Sequence, residues 1–310
     1  MLARLLVIAL NTYRESVRAR ILHGLFAVAL ATTGYSLVVG AYTSRSQLRV
    51  VSDLGAASIS LYAIVVAVVV GATSLYRELE LKTLFPILAR PVSRTEYLTG
   101  KYLGTLLLLL VFVAANTGIT LLAVAVIAGR DLGQVVGLGL GSAAVLGAIG
   151  YKARRSLTYL PIAWAAFLML CGVGLAAGAP DDRRVLVGLA VLTMCEVAIV
   201  TGIATLFASF SSPFLTAVFT FAVFVVGRSA DTLATLPERV FGPAIHATGV
   251  ALSKVVPNLM LYVPARPLLT GEAADVPLWP YVGGAALHAL AWSLLLLAVA
   301  SVIFRRRDFI

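Results

Sequence analysis

Apolar runs of roughly twenty residues recur along almost the whole chain, and each is long enough to cross a bilayer as a helix. A backbone in hydrocarbon must satisfy its own hydrogen bonds, so such runs fold as helices. Eight are read here: about Ile21 to Tyr42, Gly55 to Tyr76, Lys101 to Ala128, Leu132 to Gly150, Thr158 to Gly178, Val185 to Ala208, Pro213 to Gly227 and Pro280 to Phe304. No stretch between them has the make-up of a soluble domain, because 60% of the 310 residues are hydrophobic and only 12% charged. The expected fold is therefore an all-α integral membrane protein, one polytopic bundle over residues 1–310. The Gly-rich fourth run and the fifth could instead form a re-entrant hairpin, leaving six crossings plus an extra helical pair.

The net charge of +10 does not point to nucleic acid in such a chain. It reports loops enriched in Lys and Arg on the cytoplasmic side. With the amino terminus inside, fifteen of the 24 basic residues fall in cytoplasmic segments, among them Arg4, Arg14, Arg18, Lys82, Arg94, Lys152 and Arg305 to Arg307. Four of the other nine (Arg228, Arg239, Lys254, Arg266) lie in or beside one long outer loop, and long loops weigh little in this rule. An even number of spans returns the carboxyl-terminal FRRRDFI to the cytoplasm, so a cytoplasmic (inner) membrane location with both termini inside is expected. Residues 1–20 are not read as a cleavable signal, since no small-residue cleavage site follows. Leu2, Leu6, Ala9, Tyr13 and Val17 share one helical face and Arg4, Asn11, Arg14, Glu15 and Arg18 the other, which suits an amphipathic helix in the headgroup layer or one packed on protein. In the outer loop, residues 229–277, Pro243 can open a helix that Pro257 closes, expected to rest on the outer membrane face.

Residues 77–100 are unlike an ordinary connection. Eight charged residues stand between Arg77 and Lys101, together with Pro86 and Pro91. The second span is expected to continue as a helix through Glu78, Glu80 and Lys82. Pro86 fits the first turn of a short new helix, and Arg90, preceding Pro91, is biased out of helical geometry. Ser93-Arg94-Thr95-Glu96 has the capping-box pattern that starts the next helix, and Gly100 and Gly104 allow close helix approach. Leu84, Phe85 and Leu88 give the short helix an apolar face, with Arg90 and Arg94 at its edge. Such a rigid charged element suits being gripped by another protein.

The run E-x-K-T-L-x-x-I-L-A-R-P-V-S-R-x-E-Y-x-x-G-K-Y-L-G resembles the signature loop of ABC type-2 (ABC-2) transporter permeases. N-T-Y-R-E-S-V-R-A-R-I-L, Val256-Pro257-Asn258-Leu259 and Phe304-Arg305-Arg306-Arg307-Asp308-Phe309 are similar to motifs of one branch, the permeases of multicopper-enzyme maturation and gliding motility. The resemblance covers most of the chain and departs at about Arg130 to Pro180, where an extra helical pair stands. It implies that the 77–100 loop holds a coupling helix which docks into a separate ABC ATPase subunit. Glu78, Glu80, Lys82, Leu84, Phe85, Leu88, Arg90 and Arg94 would then be the docking residues. It further implies a homodimer or heterodimer of permeases.

No G-x-x-x-x-G-K-[ST] loop is present, nor a His/Glu metalloprotease or G-x-S-x-G pattern. No cofactor is expected on this chain, ATP being bound by the partner, and no enzyme activity of its own. Asn116, Glu196 and His288 fall in spans at a similar depth, either as a polar patch facing a translocation path or dimer seam or as interhelical clasps. Cys171, Cys195 and the span methionines read as packing residues rather than copper(I) ligands, so no metal site is assigned. The leading function is the membrane subunit of an ABC exporter. A non-transporting scaffold that anchors an ATPase and an ion-coupled carrier using Glu196 and His288 are the alternatives.

Overall fold

In the computed structural model, residues 1, 19, 44–45, 81–92, 153–157, 273–276 and 307–310 lie outside the described residues. The described ones form helices and connections, with no strand among them. In chain order the helices are α1 (Leu2–Val17), α2 (Arg20–Ala41), α3 (Gln47–Glu80), α4 (Arg94–Ile127), α5 (Leu132–Lys152), α6 (Leu160–Leu175), α7 (Pro180–Ala208), α8 (Pro213–Arg228), α9 (Ala230–Ala234), α10 (Glu238–Phe241), α11 (Pro243–Val255), α12 (Arg266–Thr270) and α13 (Leu278–Arg306). Seven helical stretches are long and apolar enough to span a membrane: α2 to α5, α6 with the short 3-10 turn that follows it, α7 and α13. The eighth apolar helix, α8, has 16 residues. At 1.5 Å per residue it is about 24 Å long, short of a hydrocarbon core of about 30 Å.

The bundle is built around α4 and α7. The first packs against α1, α3, α6 and α7, the second against α3, α8 and α13 as well. Close approach of α4 to α6 follows from paired glycines: a Cβ on Gly118 would lie 2.6 Å from the Leu168 carbonyl carbon, and one on Gly172 would lie 2.8 Å from the Gly118 oxygen. Lipid is as apolar as Leu, so such backbone contact is a main source of helix association in a membrane. By contrast α5 is peripheral, with only Val135 and Gly150 buried.

The end of the bundle where α1, the start of α4 and the end of α13 meet is called here the terminal end. There Gly100 and Gly104 do what was expected of them, receiving α1: a Cβ on Gly104 would fall 2.4 Å from the Ala9 carbonyl oxygen. The buried face of α1 is nevertheless rotated from the one read in the sequence. It holds Ala9, Thr12, Tyr13 and Ser16, while Leu6 and Val7 are exposed. Thr12 can be buried because its hydroxyl donates to the Ile8 carbonyl of its own helix.

Candidate functional site

Two groups of residues are candidates for a functional role, one toward each end of α3. At the terminal end α3 continues as a helix to Glu80, as expected for Glu78 and Glu80, although their side chains lie outside the described residues. Lys82, Leu84, Phe85, Leu88 and Arg90 lie outside them altogether. What is described is the base of that loop. The capping box is formed: the Glu96 amide donates to Ser93 Oγ at 3.1 Å and the Ser93 amide donates to Glu96 Oε2 at 2.9 Å. Arg94 reaches across to α13, donating from Nη1 to the carbonyls of Phe304 (3.3 Å) and Arg305 (2.9 Å). Arg305 answers with two bonds to Thr95 Oγ1, and Tyr97 stacks on Phe304 at 6.4 Å. Lys101, nearly buried, ties α4 to α3 by donating to the carbonyl (2.8 Å) and hydroxyl (3.2 Å) of Ser74. The two helices flanking residues 81–92 are thus locked to each other and to α13. Arg305 and Lys101 were visible in the sequence only as two more basic residues.

At the far end lies a cleft of about 590 Å³ between α3, α7, α8 and the segment before α12. The polar residues in and behind its lining come in two tiers. In the deeper tier Glu196 of α7 is fully buried and Arg228, the last residue of α8, grips it in bidentate fashion: Nε to Oε1 is 2.6 Å and Nη2 to Oε2 is 2.9 Å. Ser60 of α3 sits 3.4 Å from both partners. Phe224, one turn earlier on α8, lies under the guanidinium at 5.6 Å. Glu196 is 16 residues into α7, about 24 Å from its start, so the countercharge of Arg228 is what makes a carboxylate tolerable at that depth.

The outer tier gathers on Arg266 of α12. Its guanidinium bonds Asp53 of α3 and Asp182 of α7, and donates to Ser52 Oγ at 3.1 Å. Ser52 in turn donates to Asp182 Oδ1 at 2.7 Å. Burial works against the charge on Arg266, but the bond to Asp182 and the fields of Asp53 and Asp182 outweigh it and hold its pKa above the usual value.

The outer segment does more than rest on the membrane face. Pro243 does open α11 and Val256 ends it. Beyond Pro257, however, the chain turns into the bundle, and Leu259 and Tyr262 are buried. The Leu259 amide donates to the Gly227 carbonyl at 3.0 Å. Asn258 supports the turn, accepting from the Met260 amide at 2.9 Å and donating to Asp231 at 2.6 Å. The Tyr262 hydroxyl meets His288 Nδ1 at 2.8 Å and the Ala285 carbonyl at 3.2 Å.

Asn116, Glu196 and His288 do not form one hydrogen-bonded group. Asn116 donates to the Phe112 carbonyl of its own helix at 2.8 Å, Glu196 is taken by Arg228, and His288 by Tyr262. The partners Arg228, Arg266 and Asp182 were missed because each looked like a solvated charge at a span edge. One signal was present for Arg228: an apolar run of only 15 residues before it cannot carry its end to the membrane surface. Among the described residues no cluster of three or more His, Cys, Asp or Glu could hold a metal ion.

These features define a multi-pass helical membrane protein with no strand among its described residues and with charged side chains paired inside the bundle. Residues 14–172, just over half of the chain, match the model of the ABC-2 family transporter protein. The chain belongs to that family, the membrane component of ABC transporters. The matched residues take in α5 and most of α6, where the resemblance was expected to lapse. No curated protein matches the chain.

Proposed function

We propose that the chain is the membrane-spanning permease subunit of an ABC exporter of the cytoplasmic (inner) membrane, driven by a separate ATPase and working as a pair of permeases. The observation that supports this best is the built base of the 81–92 loop. A capping box, the Arg94–Arg305 exchange with α13 and the Lys101–Ser74 tie hold both flanking helices in fixed geometry. An isolated loop needs no such frame; a loop that must transmit force does. From that base α3 runs unbroken past Ser60 and Asp53 at the cleft, one helix of 34 residues and about 51 Å in all. A pull on the loop tilts α3 as a rod and shifts Ser60 and Asp53 against α7, α8 and α12, the elements that close the cleft. ATP binding and hydrolysis on the partner would supply the pull, and Glu78, Glu80, Lys82, Leu84, Phe85, Leu88, Arg90 and Arg94 the grip.

Without a phosphate loop, the purified chain is expected to hydrolyse no ATP and to gain activity only with its cognate ATPase. Turnover by contaminant-free permease, at a rate similar to that of the complex, would contradict the assignment. A scaffold that merely anchors the ATPase would show no stimulation of hydrolysis by any transported compound. The carrier reading needs Glu196 and His288 to exchange a proton, and each is instead held by another residue, Arg228 and Tyr262.

The orientation rests on the basic residues of the terminal end, and it places residues 152–155 in the cytoplasm. A cysteine introduced at Ala153, in a background lacking Cys171 and Cys195, is therefore expected to resist an impermeant maleimide added to intact cells. It should react after permeabilisation. Labelling from outside would reverse the assignment for α5 and α6.

A further inference from the structure

A second cavity lies far from the cleft, between the end of α1 and the first turns of α2 and α6, with the middle of α4 as its back wall. It measures about 250 Å³, and Val17, Phe26, Leu108, Phe112, Ala115 and Trp164 form most of its lining. Among the described residues, apart from His23 the wall offers no charged or hydrogen-bonding side chain save the Trp164 indole, whose N–H is already donated to Ser142 at 3.1 Å. A buried water needs two to four polar partners, so this space favours an apolar occupant. An engineered cavity of about 150 Å³ takes a benzene ring, which makes the present one roomy enough for a length of hydrocarbon chain.

The rim differs in kind from the wall. Arg18 is exposed one residue beyond Val17. Arg14, one turn back, lies over the Tyr159 ring at 5.2 Å and so joins α1 to the start of α6, two residues before Pro161 at the pocket edge. Glu15 is the one carboxylate among these residues, leaving the rim net positive. An apolar slot at the first turns of two spanning helices, with arginines where those helices enter the membrane, matches a lipid in both its parts.

We propose that this pocket takes one acyl chain of an anionic phospholipid from the leaflet at the terminal end, its phosphate held by Arg14 and Arg18. Basic residues at the membrane surface attract anionic headgroups, while the pocket fixes where the tail goes. The lipid would wedge α1 and α6 against α4 and so brace the outer side of the helix that carries the docking loop.

Trp164 gives a direct readout, because the chain has only three tryptophans. With Trp279→Phe and Trp292→Phe, Trp164 remains as the sole reporter. The full chain would be placed in phosphatidylcholine vesicles containing an equal small fraction of bromine-labelled phosphatidylglycerol or bromine-labelled phosphatidylcholine. Per mole, the anionic lipid is expected to quench Trp164 severalfold more strongly. Arg14→Gln with Arg18→Gln, both outside the packed core, should erase the preference. Val111→Phe, which fills the slot from α4, should reduce quenching by the anionic lipid to the level of the neutral one. Equal quenching by the two lipids in the parent protein, or a preference that survives the arginine pair, would overturn the proposal.

Discussion

Glu196→Leu is expected to destabilise the protein by about 3–5 kcal/mol, because it leaves the guanidinium of Arg228 inside the bundle with no countercharge. The geometry sets the size of the effect. Glu196 is fully buried, both of its oxygens accept from Arg228, and Ser60 alone could not replace it as a partner. Arg228 lines the cleft and its side chain is 24% exposed, which puts the expected loss toward the lower end of that range. The adjoining Gly227 carbonyl is also held by the Leu259 amide. Restoring charge balance should restore most of the loss, so Glu196→Leu combined with Arg228→Leu is expected to be far more stable than either single variant. Thermal unfolding of the purified proteins in one detergent measures this. Equal melting of the double and single variants would mean that the pair does not hold α7 and α8 together.

How much of this could be read from the residues alone depended on how local the signal was. The spans, the capping box at Ser93 and Glu96, the glycine contact of α4 with α1 and the Pro243 start of α11 are each specified within a few residues by hydropathy, side-chain reach or steric need. The partners of Glu196 and Asp182 are not, because Arg228 and Arg266 lie 32 and 84 residues away and meet them only through tertiary packing. The insertion of Leu259 and Tyr262 was hidden for another reason. The stretch after Pro257 has the make-up of a surface loop, and its burial depends on close approach to Gly227, where a Cβ would lie 2.8 Å from the Pro257 carbonyl oxygen. Likewise the frame at the base of the 81–92 loop was hidden, because it needs Arg305, more than 200 residues distant from Arg94.

Residues 81–92 are proposed as the grip of an ATPase, and a pull-down can test this. Leu84, Phe85 and Leu88 form the apolar face of the short helix expected there, and anchors of this kind contribute about 2 kcal/mol or more each when seated in a pocket. Losing two of them costs about 4 kcal/mol, roughly a thousandfold in affinity. Phe85→Ser with Leu88→Ser leaves the spans untouched, so the variant should insert and fold like the parent. Arg94→Glu should weaken binding less, because it loosens the tie between the base of the loop and α13 but leaves Phe85 and Leu88 in place. The measurement is recovery of the cognate ATPase by tagged permease, parent against double-serine variant, at matched expression. Full recovery is expected with the parent and essentially none with the variant; equal recovery from both would contradict a docking role for residues 81–92.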